Sequence, residues 1–439
     1  MVNGTLCRTP SSSSRRTTPN FSSPRGGGSS GLHRKHPIWS HAGYVSVISV
    51  TLLVASFIFV ICSLLYLCFY RNLIQTNSLF DSKSDSDRRN NPIVLAENVS
   101  TVADCDIFDG SWIFSNAHPL YNSSTCPFTE RGFNCLKNGR KDTDYMRLRW
   151  KPHGCDIPQF NATAVLEKLR GKRVVFVGDS MSRTQWESMI CMLMIGVEDP
   201  RSVYEVNGNG ISKTIRFLSV RFQTFNLTVE FFRSVYLLQQ GVSTPTNRGP
   251  KRVRSTIKLD QLDDVSKSWV NSDILIFNSG HWWTYKKLFY TGCYFQVGES
   301  LKLGLPITTA FRTMLQTWAS WVKSTVNTTR THVFFRTFEP SHWSEEGGGK
   351  VCDVTEQPMK DPKGNDQSEE FSGIISDVIT SMMVPATVLN VTSMGAYRSD
   401  AHIGNWSYSP LVVDCSHWCL PGVPDAWNEL VFSHLTAQN

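Results

Sequence analysis

The sequence predicts an α/β fold, with helices on both faces of a mostly parallel β-sheet. Three observations carry this. Short apolar runs recur in KRVVFVGDS (172–180), SDILIFNSG (272–280), THVFFRTFEP (331–340) and ATVLNVTSM (386–394). Their lack of polar alternation fits strands covered on both sides. Segments with helical apolar spacing lie between and after them, and Gly and Pro mark many of the boundaries.

The elements follow in order. Residues 1–41 are rich in Ser, Thr, Pro, Gly and Arg, a composition too polar to bury a core, and they read as a disordered basic cytosolic tail. Residues 42–70 carry no charge and are long enough to span a bilayer. The run is too long and starts too late for a cleaved signal peptide. Basic residues precede it, so the expected topology is a single-pass type II signal anchor with a lumenal C-terminal bulk. Residues 71–103 form a polar stem. Residues 104–158 are dense in Cys, Gly, Pro and aromatics and read as a small stapled module, too short to be stable without bridges or a larger neighbour. Residues 159–439 hold the α/β pattern. ATAVLEKLRG (162–171) is helical with a Gly stop, and 183–194 is helical. PITTAFRTMLQTWASWV (306–322) and PDAWNELVFSHL (424–435) read as amphipathic and closing helices. Val203 to Tyr236 alternates polar and apolar residues and suggests added antiparallel strands.

Charge narrows the function. The formal net charge is +7 over 439 residues. Six of the 44 basic residues, and no acid, lie in the first 70 positions, so the remainder sets 38 basic against 37 acidic residues. A basic tail on a neutral body gives no nucleic-acid surface. Seven sequons follow the apolar span, at Asn98, Asn122, Asn161, Asn226, Asn327, Asn390 and Asn405. They fit N-glycosylation in a secretory lumen. Nine cysteines follow it as well, which in that compartment read as disulfides with at least one left unpaired. Their connectivity is not readable. CSHWC (415–419) lacks a second Cys/His pair at zinc spacing, so no metal is expected.

The candidate chemistry gathers at strand ends, where open α/β sheets carry their sites. Ser180 follows the first apolar run. Asn278, Gly280, His281 and Trp282 follow the second, Arg336, His342 and Trp343 the third. Asp414 and His417 stand three apart before the last helix. Ser, His and Asp meet the needs of acyl transfer: a hydroxyl, a base near neutral pKa and a carboxylate that fixes the base's tautomer. The Ser180 N–H would sit at a positive helix end where an oxyanion forms, with Gly280 and Asn278 as further donors. The competing reading is a helix cap, a role that Asp179 or Ser182 fills equally well. His417 has an alternative reading as a packed core histidine.

VVFVGDSMSRTQWESMICML, ILIFNSGHWW, FFRTFEPSHW and VDCSHWCLPGVPDAWNELV together resemble the plant trichome birefringence-like family of wall-polysaccharide O-acetyltransferases. CDIFDGSWIF and RWKPHGCDIPQFNAT resemble that family's N-terminal Cys-rich domain. The resemblance runs from about Cys105 to the C-terminus. It implies an SGNH-hydrolase-like three-layer sandwich with Ser180, Asp414 and His417 as the triad. Separate Gly and Asn blocks of the SGNH class are not evident, and Gly280 and Asn278 are the nearest candidates. The implied reaction moves acetyl to a hydroxyl of xylan, mannan, xyloglucan or pectin in the Golgi lumen. It needs no bound cofactor, only an acetyl donor or a membrane protein that supplies acetyl. The partners expected are the glycan, that acetyl source and the bilayer.

Two other functions remain open at this stage: a polysaccharide acetyl-esterase, if water reaches the acyl-enzyme, and a non-catalytic protein that bridges pectin or other wall polymers. Arg183, His281, Trp282, Trp283 and Trp343 are candidate sugar-binding residues. The alternatives are a solvent-facing Arg183 and core tryptophans. The basic stretch 247–258 fits a solvated loop, with an acidic glycan track as the alternative.

Overall fold

The computed structural model describes residues 105–242, 252–346, 349–352, 354–361, 366–409 and 411–437. The tail at 1–41, the apolar span at 42–70, the stem with Asn98, and residues 247–251 of the basic stretch lie outside the described residues. Among those described, no helix is long and apolar enough to cross a membrane.

A seven-stranded sheet forms the centre. Its strands are β1 (Arg173–Gly178), β2 (Val203–Glu205), β3 (Phe217–Phe222), β4 (Leu227–Arg233), β5 (Ile274–Phe277), β6 (His332–Arg336) and β7 (Thr387–Leu389). They lie in the order β7-β6-β5-β1-β4-β3-β2. The five from β7 to β4 are parallel. β3 and β2 extend the sheet as antiparallel strands. The alternating stretch 203–236 therefore supplies both kinds of pairing.

β1 lies mid-sheet, and Val174 to Val177 are all fully buried. The strand's two-residue period explains why. Val174 and Phe176 enter one core, Val175 and Val177 the other. Six helices occur among the described residues: α1 (Ala162–Lys168), α2 (Ser180–Met194), α3 (Ile307–Thr325), α4 (Asp366–Thr380), α5 (Thr392–Ala396) and α6 (Val423–Ala437). α2 and α6 pack with Val174 and Phe176. α3 and α4 pack with Val175 and Val177. The sheet thus sits between two layers. α3 buries Ile307, Ala310, Phe311, Met314, Leu315, Trp318 and Val322, a stripe at helical spacing. α2 has no such stripe: Met181 to Leu193 are all buried, because the Cys-rich module covers its outer side.

That module is built on a two-stranded pairing of Gly110–Phe114 with Leu148–Pro152. Trp112 and Trp150 stand directly opposite each other and meet edge-to-face at 5.6 Å. Tyr121, Phe133, Tyr145 and Trp150 join the same core as α2 and α6. The module has no separate core. Four disulfides join described residues to one another: Cys105–Cys155, Cys126–Cys191, Cys135–Cys419 and Cys352–Cys415. Cys293 is disulfide-bonded as well, so the expectation of an unpaired cysteine is not met.

Two features were not anticipated. One is α4. The other is a four-stranded sheet of 238–242, 255–262, 293–297 and 300–302, packed beside α3. It takes up residues 255–258 of the basic stretch, Lys258 included, as a strand rather than a solvated loop.

Candidate active site

The nucleophile candidate is placed by a strand, a two-residue turn and a helix. β1 stops at Gly178. A Cβ there would collide with the side chains of Asn278 and Ser182 and with the Asn278 backbone, so only glycine fits. Asp179 then caps α2, its Oδ1 accepting from Met181 N at 2.9 Å. The cap is Asp179 and not Ser182, whose hydroxyl instead donates to Val177 O. Ser180 opens the helix, its own N–H lacking an intrahelical acceptor.

The base comes from the far end of the chain. Asp414–Trp418 is a short strand paired with His402–Gly404. Within it Asp414 Oδ1 accepts from the N–H groups of Ser416 (2.9 Å) and His417 (3.0 Å), curling the side chain back on its own segment. Asp414 Oδ2 lies 2.8 Å from His417 Nδ1. A carboxylate only accepts, so Nδ1 carries the proton and Nε2 presents its lone pair. Ser180 Oγ stands 2.6 Å from that Nε2. Ser180, His417 and Asp414 thus form one hydrogen-bonded chain across 237 positions of sequence.

The electrostatics suit a base. Burial opposes charge on His417, but the Asp414 carboxylate beside it outweighs burial and raises its pKa. Burial likewise opposes charge on Asp414. The His417 ring and two backbone N–H groups reverse this and hold the carboxyl well below its ordinary range. Both side chains remain about a quarter exposed, so a substrate can reach them.

Covalent ties surround this segment. Cys415, next to Asp414, is bonded to Cys352 of the hairpin formed by Trp343–Glu346 and Gly349–Cys352. Cys419, two beyond His417, is bonded to Cys135 of the N-terminal module. Cys191 of α2 is bonded to Cys126 of the same module. Phe133 of that module packs against the His417 ring at 5.8 Å.

The other candidates separate by position. Asn278 lies under the turn: Oδ1 accepts from Asp179 N (3.3 Å) and Nδ2 donates to Asp179 Oδ1 (3.1 Å), the position of a brace. Gly280 has φ 154° and leaves room for the Phe338 ring, which a Cβ would strike. His281 stacks on Phe338 and lies 3.6 Å from Asp179 and 3.8 Å from Glu339. Burial would raise the pKa of Asp179; His281, the Met181 N–H and the Asn278 amide lower it to about 2.

Trp282 is half-buried, with the Lys287 ammonium 4.4 Å and the Arg233 guanidinium 5.7 Å from its ring. Trp343 donates to Ser416 Oγ at 2.9 Å and props the Asp414–His417 segment. Trp283 is fully buried against Phe295 and Phe311, so it is a core residue and faces no ligand. Arg183 is 4% exposed and does not meet solvent. Its guanidinium pairs with Glu187 (2.9 Å) and Glu130 and lies 4.7 Å over Phe133. The structure also brings in residues the sequence did not single out. Phe133, Glu130 and Glu187 come from segments whose spacing carries no motif. The nearest signal was their closeness in sequence to Cys126, Cys135 and Cys191. The six described sequon asparagines are all exposed.

Residues 157–434 match the model of a GDSL/SGNH-like acyl-esterase family found in Pmr5 and Cas1p. Residues 103–156 match the PMR5 N-terminal domain. Trichome berefringence-like 7 of Arabidopsis thaliana is 58% identical over 346 residues, covering 78% of this chain and 76% of the relative. Trichome birefringence-like 6 of the same plant is 42% identical, covering 76% and 71%. Trichome birefringence-like 9 is 40% identical, covering 76% and 84%. With a PMR5 N-terminal domain fused to an SGNH-like acyl-esterase domain, and relatives this similar along most of their length, the chain belongs to the trichome birefringence-like family.

Proposed function

We propose that this protein is an O-acetyltransferase that moves acetyl from a donor to a hydroxyl of a plant cell-wall polysaccharide through a Ser180 acyl-enzyme. The observation that carries the reading is the hydrogen-bonded chain from Ser180 Oγ through His417 to Asp414. In the first half, His417 Nε2 takes the Ser180 proton as Oγ bonds to the acetyl carbonyl carbon. The negative charge that develops on the carbonyl oxygen meets the Ser180 N–H at the start of α2, with the Gly280 N–H as second donor. The donor's leaving group departs with the proton held by His417. In the second half the sugar hydroxyl gives its proton to His417 and attacks the acetyl carbon. Ser180 Oγ leaves and recovers a proton. Asp414 keeps the proton on Nδ1 throughout and offsets the charge on the ring. Trp282 and Trp343, half-buried beside the site, are the ring-stacking candidates for the sugar.

The reaction is proposed for the Golgi lumen, with the chain held as a single-pass type II membrane glycoprotein. The exposed sequons and the paired cysteines support a secretory compartment. The test is a transfer assay. Purified full-length protein receives an acetyl donor and, separately, xylan, mannan, xyloglucan and pectin, and acetyl on sugar is measured against free acetate. Transfer exceeding release with one glycan supports the proposal. Release alone with every glycan makes the protein an esterase, and neither product makes it a binding protein.

A further inference from the structure

Two histidines that the triad does not use lie directly behind it. His342 follows β6, and His402 opens the short strand paired with Asp414–Trp418. Both rings are buried. Their nitrogens meet head to head: His342 Nδ1 is 2.7 Å from His402 Nε2. Each outer nitrogen faces a backbone carbonyl. His342 Nε2 lies 3.0 Å from Ala396 O, and His402 Nδ1 lies 3.0 Å from His417 O. A carbonyl oxygen only accepts, so both outer nitrogens carry protons. A neutral imidazole has a single N–H. With both rings neutral, the two inner nitrogens would turn lone pairs on each other at 2.7 Å. One more proton between them removes the conflict and satisfies all four nitrogens.

We propose that His342 and His402 share this extra proton and act as a positioning pair, a buried cationic clamp that holds the backbone of the triad's base. The inference rests on the reading of His417 as that base. The clamp grips the segment through His402, whose ring holds the carbonyl of His417; separately, the backbone N–H of His342 donates to Cys415 O at 3.1 Å. His402 also stacks on Trp418 at 4.0 Å, which fixes its ring plane.

Burial, and then the neighbouring His342, push the pKa of His402 down to about 3. His402 keeps its single N–H for His417. Among the described residues, the charged and titratable groups around the pair include Arg140, which donates to His402 O; the Arg398–Asp400 ion pair; Asp142 on Arg140; Asp414; and His417. When alkaline pH removes the shared proton, one ring must release its carbonyl or break the inner contact. Turnover then gains an alkaline limb that the triad alone does not produce.

The test uses the full-length chain labelled with ¹⁵N-histidine. NMR should show one strongly deshielded side-chain proton coupled to nitrogens of two histidines, and either His342→Gln or His402→Gln should remove it. Turnover against pH gives the second readout. In His342→Gln the amide NH₂ donates to the His402 Nε2 lone pair, so a neutral His402 keeps its single N–H for His417 and no extra proton is needed. This variant should keep neutral-pH turnover within about 10-fold and lose the alkaline limb. His402→Leu, which cannot hydrogen-bond, should lower kcat by about 100-fold with KM little changed. Absence of the shared-proton signal, or an alkaline limb unchanged in His342→Gln, would overturn the proposal. Measuring the signal in Ser180→Ala separates the two readings. A signal present in a variant that still transfers acetyl would uphold the proton pair and overturn the triad instead.

Discussion

The two halves of the candidate site are held by different means. Ser180 is placed by local geometry: a buried strand, a glycine that fits under Asn278, an aspartate cap and a helix buried all round. Apart from Asn278, which follows β5 and is 99 positions away, each part lies within a few residues of the next. His417 and Asp414 sit instead on a short strand whose position depends on distant partners. Disulfides to Cys352 and Cys135 flank it, Trp343 props it, Phe133 packs on it and the histidine pair grips its backbone. The contrast teaches that the nucleophile's geometry is a property of one supersecondary unit, while the base's geometry is a property of the whole oxidised fold.

The sharpest way to separate the halves is Asp414→Asn. The Ser180 turn is untouched, but the amide no longer holds the proton on Nδ1. Turnover should fall by roughly 10⁴-fold with little change in stability, as for triad carboxylates generally. Less than a 10-fold fall would mean that Asp414 is not the orienting group.

The second effect in size is that of Cys352→Ser with Cys415→Ser. The bridge closes a span of 63 positions, and its loss should cost about 4 kcal/mol in denaturant unfolding. Turnover should fall more than stability suggests, because Asp414 loses its anchor. Unchanged kcat in the folded fraction would break the claim that the base depends on covalent ties.

Asp179→Ala attacks the other half. Losing the cap should cost about 1–2 kcal/mol, and turnover should fall about 10–100-fold as Ser180 loosens. Circular dichroism and kinetics together would show it. A variant as stable and active as the parent would mean that the cap does not set the turn.

The smallest effect concerns pH. Burial raises Glu187 on α2 to about 8 and Asp425 on α6 to about 6. The folded chain then holds protons that the unfolded chain has released above its ordinary carboxyl pKa. The stability these two groups contribute should therefore be lost as pH rises from about 4.5 towards 8, and the loss should level off beyond. Glu187→Gln should flatten the upper part of that fall. Denaturant midpoints at several pH values provide the measure, and an unchanged slope would show that Glu187 is ionised throughout.

Legibility in the sequence follows the same division. β1, the GDS turn and the helix after it were readable because a continuous apolar run, a glycine and a cap lie side by side. α3 was readable because its apolar residues keep helical spacing. The link between Ser180 and Asp414–His417 was readable from the chemistry that Ser, His and Asp offer together at strand ends, and the family resemblance strengthened it, since nothing local joins residues 237 positions apart. α4 was missed: its polar start, DQSEE, and Gly373 mask the apolar face that begins at Phe371. The burial of Trp283 and the ion pairs of Arg183 depend on neighbours brought in from elsewhere in the chain. So do the disulfide partners, which no spacing rule reveals.

The central claim is that Ser180 carries the acetyl group, and mass spectrometry of the acetylated enzyme tests it most directly. Full-length protein incubated with an acetyl donor, quenched and digested should show one acetyl group on the peptide that contains Ser180. The label should be absent in Ser180→Ala, should form very slowly in His417→Ala, and should pass to sugar when the acceptor glycan is added. An acetyl group found on another residue, or normal transfer by Ser180→Ala, would contradict the account.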